Sequence, residues 1–125
     1  MGVRKILIVD DNKDISELLS HKLKSEGFNV STLSEGQEVL KKAKDFMPDV
    51  ILMDIVLGDI DGADCVRTLQ EYQSTRDIPV IFLSGIVVED EEETATKIKV
   101  GDRFYPAIGK PFNFKELMDK IKTIA

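Results

Sequence analysis

The chain has no tryptophan, one cysteine (Cys65), one histidine (His21) and four prolines in 125 residues, and each scarcity removes a class of protein. A single thiol forms no internal disulfide, so Cys65 reads as core packing, and one cysteine with one histidine is too small a soft-ligand set for zinc. His21 reads as a surface residue. No apolar run approaches the roughly 20 residues that span a bilayer. The apolar stretch after Arg4 and Lys5 meets acid after about five residues, too short for a secretory signal core. Gly2 is not set up for acylation, because Ile6 stands where that motif needs a hydroxyl. A cytoplasmic protein without a membrane partner is expected. Positive charge is also scarce: 17 Lys and Arg against 23 Asp and Glu give a net charge of -6. That disfavours direct nucleic-acid binding, which draws its affinity from Lys and Arg displacing counterions. Protein partners are expected instead.

What is present is an ordinary globular composition, 42% hydrophobic and 32% charged, in a length that suits one self-sufficient domain. Apolar runs of strand length fall at Lys5 to Val9, Asn29 to Leu33, Val50 to Met53 and Val80 to Leu83, with a weaker one near Ala107 and Ile108. Between them the period becomes helical. Ile15, Leu18, Leu19 and Leu23 share a face, started by Asp14 and Glu17 at capping-box spacing, with Asp11 and Asn12 as the alternative residues to begin the helix, and stopped by Gly27. Val39, Leu40, Ala43 and Met47 form a second face ending before Pro48, and Ala63, Val66, Leu69 and Tyr72 or Gln73 a third. A fourth helix is expected from the acidic run Glu89 to Glu93, through Ala95 and Ile98, up to Gly101. The fifth, with Phe114, Leu117, Met118, Ile121 and Ile124, is the clearest. Asp59, Asp61 and Gly62 suit the turn into the third helix, capped by Asp61 or Gly62. The methionines read as core. No linker or repeat divides the chain, so residues 1–125 are expected to be one domain, without an output domain.

Near-continuous apolar strands such as ILIV, VILM and VIFL mark a parallel sheet covered on both faces, with the helices as crossovers. The fold expected is a doubly wound α/β sandwich. In such sheets ligands bind beyond the carboxyl ends of the strands. There the first strand ends in Asp10 and Asp11, the third in Asp54 and the fourth in Ser84, and the fifth is followed by Lys110. Two carboxylates about 5 Å apart repel by about 3 kcal/mol at an effective dielectric near 20, so three converging acids need a positive partner. Lys110 supplies one charge. A hard divalent ion supplies two, and Mg²⁺, which takes carboxylate, water and phosphate oxygens, suits Asp10, Asp11 and Asp54.

In these residues the chain resembles the receiver domains of two-component response regulators. The resemblance rests on VDDN with Asp10 and Asp11, VILMDIVLGDIDG with Asp54, VIFLSG with Ser84, and GKPF with Lys110 and Pro111. It implies a CheY-like, flavodoxin-like sheet of five parallel strands in the order 2-1-3-4-5 with five helices. It also implies that Asp54 accepts a phosphoryl group from a histidine kinase or histidine phosphotransfer protein. Asp10, Asp11, Asp54 and the backbone carbonyl of Val56 would hold Mg²⁺, Ser84 would hydrogen-bond the phosphoryl oxygen, and Lys110 would pair with it through a cis Lys110–Pro111 peptide. The signal would leave through the face of the fourth helix, fifth strand and fifth helix to a downstream protein, as a monomer or a phosphorylation-dependent dimer.

Several positions depart from that pattern. Ala107 stands where the family has its switch aromatic; counted from Gly101, Tyr105 falls in register instead, with Phe104 as the other candidate. Two extra residues are thus expected before Lys110, with Pro106 interrupting pairing on an edge strand. Gly58 and Gly85 replace a common proline and alanine. Val56 and Ile86 place apolar bulk beside the acceptor, which implies slow self-dephosphorylation. Three other functions are weighed: a receiver that binds partners without phosphate, a Mg²⁺-dependent phosphatase with an Asp nucleophile, and a flavin site. The complete acid, hydroxyl and lysine set opposes the first. The DDNKD run lacks the Asp-x-Asp-x-Thr order of the second, and an acidic first loop is a poor phosphate cradle for the third.

Overall fold

The computed structural model describes residues 3–55, 57–58, 60–84, 97–109 and 113–124, with Ser84 described by its backbone alone. Six strands form one sheet: β1 (Lys5–Val9), β2 (Asn29–Leu33), β3 (Val50–Asp54), β4 (Val80–Ser84), β5 (Lys97–Val100) and β6 (Arg103–Gly109). The order is β2-β1-β3-β4-β6-β5. Every pair is parallel except β5 with β6. The helices are α1 (Lys13–Ser25), α2 (Val39–Phe46), α3 (Gly62–Gln70) and α4 (Phe114–Ile124), with one 3₁₀ turn at Gly36–Glu38.

Strand alternation sorts the core into two layers. Leu7, Val9, Ile51, Met53, Val80 and Phe82 face α2 and α3 through Val39, Ala43, Val66 and Leu69. Ile6, Ile8, Val50, Leu52, Ile81 and Leu83 face Leu19 and Leu23 of α1 and Leu117 and Ile121 of α4. Burial on both faces is what makes these strands continuously apolar, and the doubly wound sandwich is as expected.

The differences are local and have physical causes. The sheet has six strands rather than five, and four helices rather than five occur among the described residues. Of the expected fourth helix, residues 89–96 lie outside the described residues, and Lys97–Val100 is strand. KIKV alternates charged and apolar, and Gly101-Asp102 is a two-residue hairpin connection with Gly101 at φ 64, the positive φ that the first position of a II′ turn requires. Gly101 thus turns a hairpin rather than ending a helix. β6 is not the edge, because β5 covers it. Pro106 does not interrupt pairing: it sits in register with Lys97, and the ladder to β4 begins one residue later, at Ala107. Its missing N–H falls where the strand changes partner.

The helix ends are also specific. Asn12, not Asp14, caps α1, its Oδ1 accepting from the N–H groups of Asp14 (3.0 Å) and Ile15 (3.2 Å). Gly27 closes that helix as expected, at φ 98, with its N–H donating to Lys24 O and that of Phe28 to Leu23 O. Asp61 caps α3 by accepting from Ala63 N–H at 2.9 Å. α3 stops at Gln70, so Tyr72 lies beyond it and is partly exposed. Met47 does not join the core. It follows α2 in the left-handed conformation, φ 54, and is 66% exposed.

Candidate functional site

β1 and β3 are neighbours in register, Val9 opposite Met53, so the residues that follow their apolar runs emerge side by side. One carboxylate oxygen from each of Asp10, Asp11 and Asp54 lies within 4.8 Å of the others. Asp10 is fully buried and Asp54 nearly so, while Asp11 is exposed. The group is therefore seated in the sheet edge and open on one side.

The surroundings hold that geometry. Asp10 Oδ1 accepts from the N–H of Asn12 at 2.9 Å, and Asn12 in turn caps α1, so one short turn both orients Asp10 and starts the helix. Asp10 N–H donates to Leu33 O at 3.1 Å, anchoring the end of β1 to β2. Behind Asp54, Ile55 N–H reaches Leu83 O at 3.3 Å, and Gly62 N–H closes the β3–α3 connection on Ile55 O at 2.7 Å. Gly62 is required by contact. A Cβ there would stand 2.3 Å from the main-chain oxygen of Asp54 and 3.0 Å from Ile55 Cα. Gly36 is equally tight, since a Cβ would meet Ile60 Cγ2 at 2.2 Å and Cys65 Sγ at 2.7 Å. The β2–α2 connection is thereby pressed onto the loop that follows Asp54.

Three carboxylates at this spacing repel by several kcal/mol, about 3 for each pair near 5 Å at an effective dielectric of 20. The donor set is all hard oxygen, with one side open to water and to a phosphate oxygen. It fits Mg²⁺ and does not fit a soft metal.

Of the other expected site residues, Ser84 ends β4 one position beyond Leu83, the partner of Asp54, and pairs with Gly109 of β6. Lys110 follows Gly109 in the chain but lies, with Val56, Asp59, Gly85, Ile86 and Pro111, outside the described residues. Tyr105 is buried on the α3 side. Its ring meets Phe82 edge to face with centroids 6.0 Å apart, and its hydroxyl accepts from Gln70 Nε2 at 2.8 Å. Gln70 Nε2 also donates to Val100 O at 3.0 Å, which binds α3 to both strands of the hairpin. Phe104 is 63% exposed. Sequence reasoning placed Asn12 and Gly62 at helix starts but not the hydrogen bond of Asn12 to Asp10 or the close contact that demands Gly62, and it missed Gln70. The Asp-Gly step before α3 signalled a tight turn; nothing in the sequence pointed to Gln70, whose role depends on the hairpin.

A family model for the response regulator receiver domain matches residues 6–122. The alkaline phosphatase synthesis transcriptional regulatory protein PhoP of Bacillus subtilis is 34% identical over 122 residues, 97% of this chain and 48% of that protein. The chain spans about half the length of the curated relatives it matches. Among solved structures, the receiver domain of sensor histidine kinase PA1611 from Pseudomonas aeruginosa, which has magnesium in its active-site cleft, aligns with a TM-score of 0.81. It is 26% identical over 98% of this chain and 97% of its own. Chemotaxis protein CheY4 of Vibrio cholerae aligns at 0.80, with 26% identity over 99% of this chain and 100% of its own. No helix among the described residues is long and apolar enough to cross a membrane. With its sheet, its acid triad and a family match over nearly its whole length, the chain belongs to the response regulator receiver domains of two-component signalling.

Proposed function

We propose that residues 1–125 act as a phosphoryl-accepting switch in which Asp54 is the acceptor. The observation that carries this reading is the convergence of Asp10, Asp11 and Asp54 to within 4.8 Å at the carboxyl edge of the sheet. A carboxylate oxygen of Asp54 attacks phosphorus, a P–O bond forms, and the P–N bond of a phosphohistidine donor breaks, with the electron pair leaving on the imidazole. Asp10, Asp11, Asp54 and the Val56 carbonyl would hold Mg²⁺, which when bound supplies positive charge against the equatorial phosphoryl oxygens. Burial of Asp10 and Asp54 in the strand ends restricts the angle of attack. Lys110 neutralises the product, and the Ser84 hydroxyl donates to a phosphoryl oxygen. The acceptor then carries about -1.5 to -2 charges in place of one.

A histidine kinase or histidine phosphotransfer protein is the donor in this reading, and a downstream protein receives the signal. PhoP of Bacillus subtilis, like other curated relatives, is a transcriptional regulatory protein about twice as long. The expectation of no direct nucleic-acid contact therefore concerns these 125 residues only. The aromatic switch is less well supported, because Tyr105 is tied to Gln70 and Phe82 on the inner face.

Intact mass spectrometry after acetyl phosphate and Mg²⁺ tests the acceptor. One phosphate adduct is expected on the wild type and none on Asp54→Asn; equal adducts on both would remove the assignment. Turnover of a generic phosphomonoester would favour a hydrolase instead. The adduct should decay slowly, and a half-life of seconds would contradict the apolar flank of Val56 and Ile86.

A further inference from the structure

β5 ends the sheet, with β6 on one side and, among the described residues, no strand on the other. A strand in that position offers a row of main-chain donors and acceptors that another extended chain can join. Its side chains sort by face. Ile98 and Val100 pack with Tyr105 in the core layer on the α2 and α3 side, which turns Lys97 and Lys99 to the opposite face, where both are exposed. Phe104 is directly across from Lys99 and shares that face, with the Lys99 ammonium 5.7 Å from its ring centre. Arg103 is already engaged, by Asp77 at 2.9 Å and by the main-chain oxygen of Arg76 at 2.6 Å. Among the described residues neither lysine is in an ion pair. In a chain of net charge -6, the outer edge of this hairpin, open among the described residues, thus carries two cations at alternate positions about an apolar residue.

We propose that the outer edge of β5 is a docking strand for an extended acidic segment of another protein. Acids at alternate positions of that segment stand opposite Lys97 and Lys99, and the residue between them lies beside Ile98. Main-chain pairing provides the attachment and the two lysines select the charge. A second copy is a poorer occupant. With Ile98 on the two-fold axis, Lys97 would oppose Lys99 of the other copy; with Lys99 on the axis it would oppose itself, and like charges directly opposite are destabilising. Nucleic acid is poorer still, since two lysines on an acidic chain release few counterions. The proposal does not rest on phosphorylation of Asp54.

The test is fluorescence anisotropy with labelled peptides of alternating glutamate and valine, or alternating lysine and valine, and a thymidine oligonucleotide. The wild type is expected to bind the acidic peptide in preference to the other two. Lys97→Glu with Lys99→Glu should weaken that binding about tenfold or more and create binding of the lysine peptide. Amide exchange should slow at residues 97–100 on binding. The proposal fails if the wild type ignores the acidic peptide, if it binds all three probes equally, or if protection appears only elsewhere. It also fails if the chain forms a dimer that the double substitution abolishes, which would assign the edge to a second copy. Should circular dichroism show the double variant unfolded, Lys99→Gln carries the test: about threefold weaker binding supports the proposal, and unchanged affinity overturns it.

Discussion

β3 and β5 belong to one sheet and are built by opposite rules. All five residues of β3 are buried, Asp54 among them, and the strand is flanked by parallel neighbours on both sides. β5 has one buried residue, Val100, one neighbouring strand among the described residues, and a lysine at every second position. The first arrangement makes a platform in which a carboxylate can be held against its own repulsion, because moving it would disturb packing on two faces. The second makes a fitting attached, among the described residues, by its strand ladder, the packing of Ile98, Val100 and Tyr105 on one face only, the two hydrogen bonds from Gln70 and the contacts of Arg103 with Asp77 and Arg76. Elements secured in this way open more readily than the global fold. The acids sit on the platform, and the face that differs most from the expected fold is the fitting.

Gly62→Ala would break the comparison most severely if the platform were less rigid than described. The added Cβ would lie 2.3 Å from the Asp54 main-chain oxygen and 3.0 Å from Ile55 Cα, and these main-chain atoms cannot swing aside as a flexible side chain can. A loss of about 3 kcal/mol is expected, near the top of the usual overpacking range, together with a lower yield of phosphate adduct. Urea unfolding and intact mass measure the two effects. A neutral result would mean that the end of β3 yields easily.

Gln70→Ala probes the fitting. It removes the donor to Val100 O and to the Tyr105 hydroxyl, and a loss of about 1–2 kcal/mol is expected. The loss should be uneven: hydrogen exchange should quicken at residues 97–106 and stay unchanged in β1 and β3. A uniform increase would show that hairpin and platform open together.

This contrast also explains what could be read from the sequence. β1 and β3 were legible because two-sided burial leaves a run of four or five apolar residues that no exposed helix shows, and Asp10, Asp11 and Asp54 were legible because they follow those runs. Ile98 was ambiguous. Three residues from Ala95 and beyond an acidic run, it satisfied a helical period, whereas KIKV satisfied a period of two over only four residues. The Gly101-Asp102 turn decides between them only if Gly101 is weighed as a hairpin residue. Asn12 was legible as a helix starter, but the acids around it offered equally good caps. Its hydrogen bond to Asp10 required knowing that Asp10 turns inward. Met47 carried the right spacing for α2 and is nonetheless exposed, because the helix ends at Phe46, one residue earlier.

The smallest expected effect lies at the opposite end of the platform, where Asp49 precedes β3. Its Oδ2 accepts from the N–H groups of Arg4 and Lys5, each at 2.9 Å, and its own N–H donates to Lys5 O at 2.8 Å. The Lys5 N–H is the main cause that holds this carboxyl below its ordinary 3.8; the Arg4 N–H and both side-chain charges act in the same direction, and partial burial opposes them. A carboxyl lowered on folding contributes stability that is present above its unfolded pKa and is lost as pH falls through the folded one. Asp49→Asn keeps an acceptor but not the charge, at an exposed site where solvent screens the interaction, so about half a kcal/mol is expected near neutrality. The difference between wild type and variant in urea unfolding should be constant from neutral pH to about 5 and shrink below about 4. If instead it grows on acidification, Asp49 is not the carboxylate that ties the start of β1 to β3, and the platform is closed at that end by packing alone.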